Sequence, residues 1–309
     1  MSTKNRVIIF RADSSSDLGT GHIMRDLVLA KRDFRDFRVI FATRDLPGNI
    51  NHKIIESGFE ISLLKSDKIE ELAELANKMD AETIVIDHYE IGYEEEKLLK
   101  KLTGATLFVL DDLYEKHFCD ILLNHNVYAE PKRYTGLVPS HCELRCGKEH
   151  TLLREEFYAA KQTPKLKRDK KDIFIAMGGT DHKNLIVKIL RVLEKIPDIE
   201  ANVLTTRANR HLDELKEYAS SHSFVNLHIE SNEVAKLMCK ADLAIITPSV
   251  IMNEVIFMDT PFIAIQTADN QKEMVGYLIH HHTNMKVIQN YKANELKIEI
   301  KKLMKKWEQ

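Results

Sequence analysis

The sequence predicts an α/β protein built from two Rossmann-like domains in series. Three observations predict it. Short β-branched and aliphatic runs alternate with amphipathic helical stretches, the alternation lapses once near the middle into a polar basic segment, and it then resumes in the same rhythm. A chain of 309 residues can also bury two cores of ordinary size, where a single one would be unusually large.

In the first half RVIIFRAD, FRVIFATRD, FEISLLK, ETIVIDHY and TLFVLDD read as strands. Between them Ile23, Leu27 and Ala30 recur at helical spacing, as do Ile69, Leu72 and Leu75, so each crossover has an apolar face to lay on a parallel sheet. HCELRCG reads as strand and turn. Residues 159–171, AAKQTPKLKRDKK, have no apolar periodicity and contain Pro164; they predict a solvated linker, a basic contact to phosphate or nucleic acid being the other reading. The expected division is therefore 1–160 and 161–309. DIFIAM, ANVLTT, VNLHI, DLAIIT and PFIAIQ are the strands of the second half, with LIVKILRVLEKI and EVAKLMCKADL as helices. Leu296, Ile300, Leu303 and Trp307 share one face of a terminal packing helix. Two such domains are expected to face a cleft at the carboxyl ends of their strands, where open parallel sheets bind ligands.

Composition narrows the function. The 45 Lys and Arg nearly balance the 47 Asp and Glu, leaving a formal charge of −2 with both signs dispersed, so nucleic acid is not the expected partner. No apolar run approaches a bilayer span, and MSTKNRVIIFRAD lacks a signal-peptide core; a cytoplasmic, monomeric enzyme without membrane partners is expected. Four dispersed cysteines suit reduced thiols. Cys142 and Cys146 have no second pair at zinc-ribbon spacing, and neighbours such as His280, His281 and His282 cannot converge on one ion from a single helix. No metal or organic cofactor is expected.

Chemistry-bearing residues gather at expected strand ends. After the first strand, residues 11–22 form a small polar loop with Gly19 and Gly21, which lets backbone N–H groups approach a phosphate or an oxyanion at a helix N-terminus. As a dinucleotide fingerprint the loop is incomplete, although Asp45 sits about where a ribose-binding acid would fall. His22, in the first helical turn, has two readings: a base facing the ligand, or a histidine that packs at the turn. Asp13 either orients His22 or caps the loop backbone, and Asp87, His88 and Tyr89 project toward the same mouth. In the second half the Met177, Gly178, Gly179, Thr180, Asp181 turn suits a phosphate or sugar near the backbone. Ser249 and the helix after it suit a diphosphate, and Glu254, if not merely a surface acid, suits ribose hydroxyls, with Asn253, Asn270 and Gln271 nearby.

Taken together, RADSSSDLGTGHIMRDLVLAK, IDHY, MGGTD, LLREEFY and PSVIMNEVIFMDTPFIAI followed by NQ resemble the UDP-2,4-diacetamido-2,4,6-trideoxy-β-L-altropyranose hydrolases of pseudaminic acid biosynthesis. That family is related to the MurG-like glycosyltransferases of the GT-B fold. The resemblance implies a UDP-sugar substrate held mainly by the second domain and water attack at the anomeric carbon with inversion. It implies His22 as the base, Ser249, Asn253 and Glu254 in the nucleotide stretch, and a link to flagellin glycosylation. One base suffices, because a terminal phosphate with a pKa of about 6 leaves as an anion without a general acid. Magnesium escorting the diphosphate is compatible with the sequence. A GT-B glycosyltransferase, a non-catalytic nucleotide-sugar binding protein and a nicotinamide-dependent dehydrogenase are the competing readings, separated by acceptor dependence, sugar release and dinucleotide binding.

Overall fold

β1 (Val7–Ala12) is buried at every position, with Val7 and Ile9 in one core cluster and Ile8, Phe10 and Ala12 in another. A strand apolar on both faces needs helices on both faces, and crossover connections supply them. The computed structural model describes residues 6–164, 169–282 and 285–307, with the side chains of 305–307 outside the description, so the expected place of Trp307 and part of the expected linker lie outside it. The chain divides into two compact units, Met1–Leu152 and Leu153–Gln309.

In the first unit β1 is followed by α1 (Gly21–Asp33), β2 (Arg38–Thr43), α2 (Asn51–Glu56), β3 (Glu60–Leu63), α3 (Ile69–Lys78), β4 (Ala81–Asp87), α4 (Tyr93–Thr103), β5 (Thr106–Leu110), β6 (Ile121–Asn124) and β7 (Glu143–Cys146). The sheet is parallel throughout, in the order β3-β2-β1-β4-β5-β6-β7. Ile23, Leu27 and Ala30 of α1 lie on one face, and Ile69 and Leu72 of α3 with Leu99 of α4 lie on the other. Register pairs Ala12 with Asp87, which brings the ends of β1 and β4 side by side.

The second unit runs α5 (Glu155–Lys161), β8 (Lys171–Ala176), α6 (Leu185–Leu193), β9 (Ile199–Thr205), α7 (Leu212–Ser221), β10 (Val225–Ile229), α8 (Val234–Lys240), β11 (Leu243–Ile246), α9 (Ile251–Phe257), β12 (Phe262–Ile265), α10 (Lys272–His281), β13 (Lys286–Ile288) and α11 (Ala293–Trp307). Its parallel order is β10-β9-β8-β11-β12-β13. The order reverses on either side of β1 in the first sheet and β8 in the second, the switch point where open sheets take ligands. The units divide before α5, upstream of residue 160, because α5 packs within the second unit: Tyr158 meets Phe257 at 4.9 Å and Cys239 Sγ donates to the Ala160 carbonyl. Leu296 and Ile300 of α11 are buried in the same core, with Leu303 packed against it.

One buried charge network braces the first unit beneath β5. His117 Nδ1 lies 2.6 Å from Glu96 Oε1 of α4, and Nε2 lies 3.8 Å from Asp111, which also accepts a 2.6 Å bond from Tyr134. Burial opposes a charge on His117, but Asp111 and Glu96 outweigh it and push its pKa up to about 9. Protonated His117 therefore stabilises the fold fully below the unfolded value of 6.5 and loses that contribution as pH rises through about 9. We expect a decline of about 3 kcal/mol from this group across that window, read from urea midpoints against pH, with His117→Gln flattening the slope.

Candidate active site

The loop between β1 and α1 is pinned from within and from the neighbouring strand. Ser15 and Gly19 exchange backbone bonds of 3.3 and 2.9 Å, and Ser15 Oγ accepts from the N–H groups of Asp17 and Leu18. Gly19 closes this turn at φ +82°, a conformation that side-chain-bearing residues rarely adopt. From the loop after β2, the Pro47 carbonyl accepts from Ser16 N at 2.9 Å, and Ile50 N donates to Ser14 Oγ at 3.0 Å. Gly48 makes that approach possible: at φ +75° a Cβ there would sit 2.2 Å from Ser16 Oγ. Gly48→Ala should cost about 1–3 kcal/mol of stability and reduce turnover by loosening the loop that leads into α1, as thermal melts and rate assays would show.

That loop delivers Gly21 as the first residue of α1 and His22 as the second. His22 Nδ1 lies 3.0 Å from the main-chain carbonyl of Asp87 and 3.4 Å from its carboxylate Oδ1. Both are acceptors, so Nδ1 carries the proton and Nε2 presents a lone pair. Tyr89 packs edge-on to the imidazole at 4.8 Å between ring centroids, with its hydroxyl donating to Asp112 at 3.1 Å. Burial, reinforced by the Asp112 charge, pushes the Tyr89 phenol up and keeps it a donor. The imidazole side chain is 15% exposed, reachable by a small molecule yet held on one edge.

Asp87 is fixed in turn by Arg25, one helical turn after His22. Arg25 Nε and Nη2 donate to the two Asp87 oxygens at 2.6 and 2.5 Å, and Nη1 donates to Asp112 at 2.9 Å. Burial alone would raise the Asp87 pKa, but Arg25 and His22 hold it down at about 2. An ionised Asp87 next to Nδ1 favours the imidazolium that forms when Nε2 takes a proton.

Asp13 does not orient His22, nor does it offer a carboxylate to a ligand. Arg11 binds it through two nitrogens at 2.8 and 2.9 Å, Arg44 N and Nε each donate at 2.8 Å, and His88 Nε2 lies at 3.2 Å. Burial disfavours its charge, but these donors hold the carboxyl well below the usual range. Asp13 thus ties β1 to the loop after β2, and the orienting part belongs to Asp87. His88 Nδ1 accepts from Glu90 N at 3.2 Å, leaving Nε2 to donate to Asp13. Asp45 is exposed and accepts from Asn49, in a local turn.

In the second unit the expected residues collect at the ends of β8, β11 and β12. Gly178 is exposed, the Gly179 carbonyl accepts from Thr206 Oγ1 at 2.9 Å, and the Thr180 carbonyl accepts from Arg210 N at 3.1 Å. Asp181 caps α6 through the N–H groups of Leu185 and Ile186. Thr247 after β11 meets Thr267 after β12 at 3.0 Å, with Ser249 half-buried beside them in sequence. Gln271 is turned inward: its Oε1 accepts from Thr267 N at 2.8 Å and from Ala268 N, so it shapes this loop, while Asn270 stays exposed. Asn253 is buried on α9. Glu254 accepts from Arg154 Nε at 3.1 Å, and burial raises its pKa against the pull of Arg154.

Arg25, Asp112 and Arg154 were not expected from the sequence. Arg25 falls off the Ile23 and Leu27 face of α1, where the sequence reads as an ordinary solvated charge, so nothing in it signals the burial that the structure shows. Among the described residues no group of three or more His, Cys, Asp or Glu could hold a metal ion, and no helix is long and apolar enough to cross a membrane. All four cysteines are free thiols; Cys119 and Cys142 lie 3.6 Å apart. His281 stacks on Tyr277 and bonds its carbonyl at the end of α10.

No family model matches the chain. Among solved structures it superposes on MurG of Acinetobacter baumannii with a TM-score of 0.62 and 12% identity, covering 97% of this chain and 91% of that one. On the spinosyn rhamnosyltransferase SpnG complexed with thymidine diphosphate the TM-score is 0.66 at 10% identity, covering 97% and 92%. These similarities establish the GT-B fold. By sequence it is 23% identical over 268 residues to the spore coat polysaccharide biosynthesis protein SpsG of Bacillus subtilis, covering 84% of this chain and 77% of that protein. It is 42% identical over 272 residues to the UDP-2,4-diacetamido-2,4,6-trideoxy-β-L-altropyranose hydrolase of Campylobacter jejuni, covering 88% of this chain and 95% of that enzyme. Identity of that extent over nearly both full lengths places this chain in the family of UDP-2,4-diacetamido-2,4,6-trideoxy-β-L-altropyranose hydrolases.

Proposed function

We propose that this protein hydrolyses UDP-2,4-diacetamido-2,4,6-trideoxy-β-L-altropyranose to UDP and the free sugar, by water attack at the anomeric carbon with inversion. The observation that carries the chemistry is the His22 tautomer, with Nδ1 committed to the Asp87 carbonyl and Nε2 open as an acceptor. Kinship with the Campylobacter jejuni enzyme supports the substrate. Nε2 takes a proton from water as its oxygen bonds to the anomeric carbon. The bond from that carbon to the phosphate oxygen breaks, and its electron pair leaves on UDP. The imidazolium, held beside ionised Asp87, then returns its proton to solvent.

The residues proposed to hold the UDP moiety are Gly178, Gly179, Thr180, Ser249, Asn253, Glu254 and Asn270, with Gln271 holding their loop in shape. Gly21 and Tyr89 are proposed to flank the sugar near His22. The reaction fits a cytoplasmic step of pseudaminic acid biosynthesis, upstream of flagellin glycosylation. Incubation with a panel of UDP-sugars, followed by NMR of the released anomer, tests the reading. Free sugar of inverted configuration without any acceptor is the expected result. Strict dependence on an acceptor hydroxyl would instead make the protein a glycosyltransferase, the activity named for several proteins that share its fold.

A further inference from the structure

Cys119, two residues before β6, and Cys142, one residue before β7, bring their sulfurs to 3.6 Å. They meet because the strands that follow them are paired. Ile121 lies opposite Glu143, and the Asp120 carbonyl accepts from Glu143 N at 2.8 Å, so the backbones that carry the two cysteines run side by side. Both side chains pack into the core cluster that holds Leu122 and Tyr134. Sulfurs in contact on adjoining backbones can reach bonding distance by side-chain rotation, without moving the strands. Neither remaining cysteine is placed to take part. Cys146 ends β7, four residues beyond Cys142, and an extended chain sets residues so spaced about 13 Å apart. Cys239 lies on α8 in the second unit, where its thiol donates to the carbonyls of Ala160 and Thr163.

We propose that Cys119 and Cys142 are a redox modification site, in which a peroxide oxidises Cys142 and Cys119 resolves the product as a reversible intramolecular disulfide. Cys142 is the point of entry because it is half-buried, whereas Cys119 is buried. The Cys142 thiolate attacks hydrogen peroxide and the O–O bond breaks. The sulfur becomes a sulfenic acid, and the other oxygen leaves as hydroxide and takes up a proton to become water. The Cys119 sulfur then attacks the Cys142 sulfur, giving its proton to the departing hydroxyl, so that the S–S bond forms and a second water leaves. Two thiols thus lose two electrons and two protons, and one peroxide becomes two waters. A hydrogen bond from the Cys119 S–H lowers the Cys142 pKa, with the His117 cation adding to it and burial and the Asp120 charge opposing. The same bond and burial raise the pKa of Cys119. The nucleophile therefore falls on the accessible thiol and the proton on the buried one.

The test is to treat the native full chain with hydrogen peroxide in modest excess, alkylate the free thiols, and map the tryptic peptides without reductant. Trypsin separates the three cysteines of the first unit into peptides 117–132, 134–145 and 146–148, so the linkage is read directly. The expected result is loss of two of the four free thiols, a bridge joining peptide 117–132 to peptide 134–145, and return of both thiols with dithiothreitol. In Cys119→Ala the sulfenic acid on Cys142 has no resolving partner and should be trapped by dimedone. In Cys142→Ala, Cys119 should stay reduced. Four thiols retained, a bridge through Cys146 or Cys239, a bridge between two molecules, Cys142 carried to sulfinic acid beside a reduced Cys119, or folded Cys119→Ala without a dimedone adduct would each overturn the proposal. The peptide map uses the wild-type chain and so decides even where a variant fails to fold. It is also independent of turnover, and stands apart from the role of His22.

Discussion

His22→Ala should lower kcat by about 10²–10⁴-fold, measured by release of UDP from the UDP-sugar in the steady state. Affinity for UDP, measured by calorimetry, should change by less than about twofold, because the ring is proposed to act on water and not on the nucleotide. His22→Asn sharpens the comparison. An asparagine amide can still donate to the Asp87 carbonyl and fill much of the same space, but it cannot accept and hold a proton. A packing role would leave His22→Asn near the wild-type rate, whereas a base role makes it as slow as His22→Ala.

Arg25→Met should destabilise the protein by about 3–5 kcal/mol in urea unfolding at neutral pH, the largest effect expected from any single substitution at this site. Methionine has nearly the length of the arginine stem, so the loss comes from Asp87, whose buried carboxylate is left without its counter-ion. The pH dependence follows the same charge. Folded Asp87 has its pKa held at about 2, so the pair stabilises the fold above the unfolded carboxylate value of about 3.9 and loses that contribution as pH falls toward 2. In Arg25→Met that acid-side slope should vanish, because Asp87 regains its proton near neutrality. Turnover should fall with stability, since a protonated Asp87 no longer favours the imidazolium at His22.

Strands long enough to show periodicity were legible as elements, and so was the parallel order they imply. Two strands were not: β6 has no helical pattern on either side to set it off from a loop, β13 holds three residues, and they gain their places by pairing, β6 between β5 and β7 and β13 at the edge beside β12. Within the site, position along the chain was legible but partnership was not. His22 falls in the first turn of α1 as its spacing predicts. Which carboxylate serves it depends on strand order, because β4, rather than the loop around Asp13, presents its terminal residue to the start of α1. Asp13 misled for a related reason. One strand later in sequence, Arg44 returns beside Arg11 and saturates a carboxylate that looks available when β1 is read alone. Glu254 likewise acquires its companion Arg154 from one hundred residues upstream.

The group that fixes the tautomer of His22 is a peptide carbonyl, and this has an evolutionary corollary. In a triad built from side chains, one nucleotide change can erase the acceptor that keeps the proton on Nδ1, and the ring is then free to turn its N–H toward the substrate. Here the acceptor is the oxygen of residue 87 whatever its side chain, and every amino acid carries it. Point mutation at that position can change the charge beside the imidazole while leaving its handedness for protons intact. What limits drift at residue 87 is therefore the buried Arg25 that its carboxylate must pair, and the tautomer of the ring survives any change there as long as the end of β4 stays in register with β1.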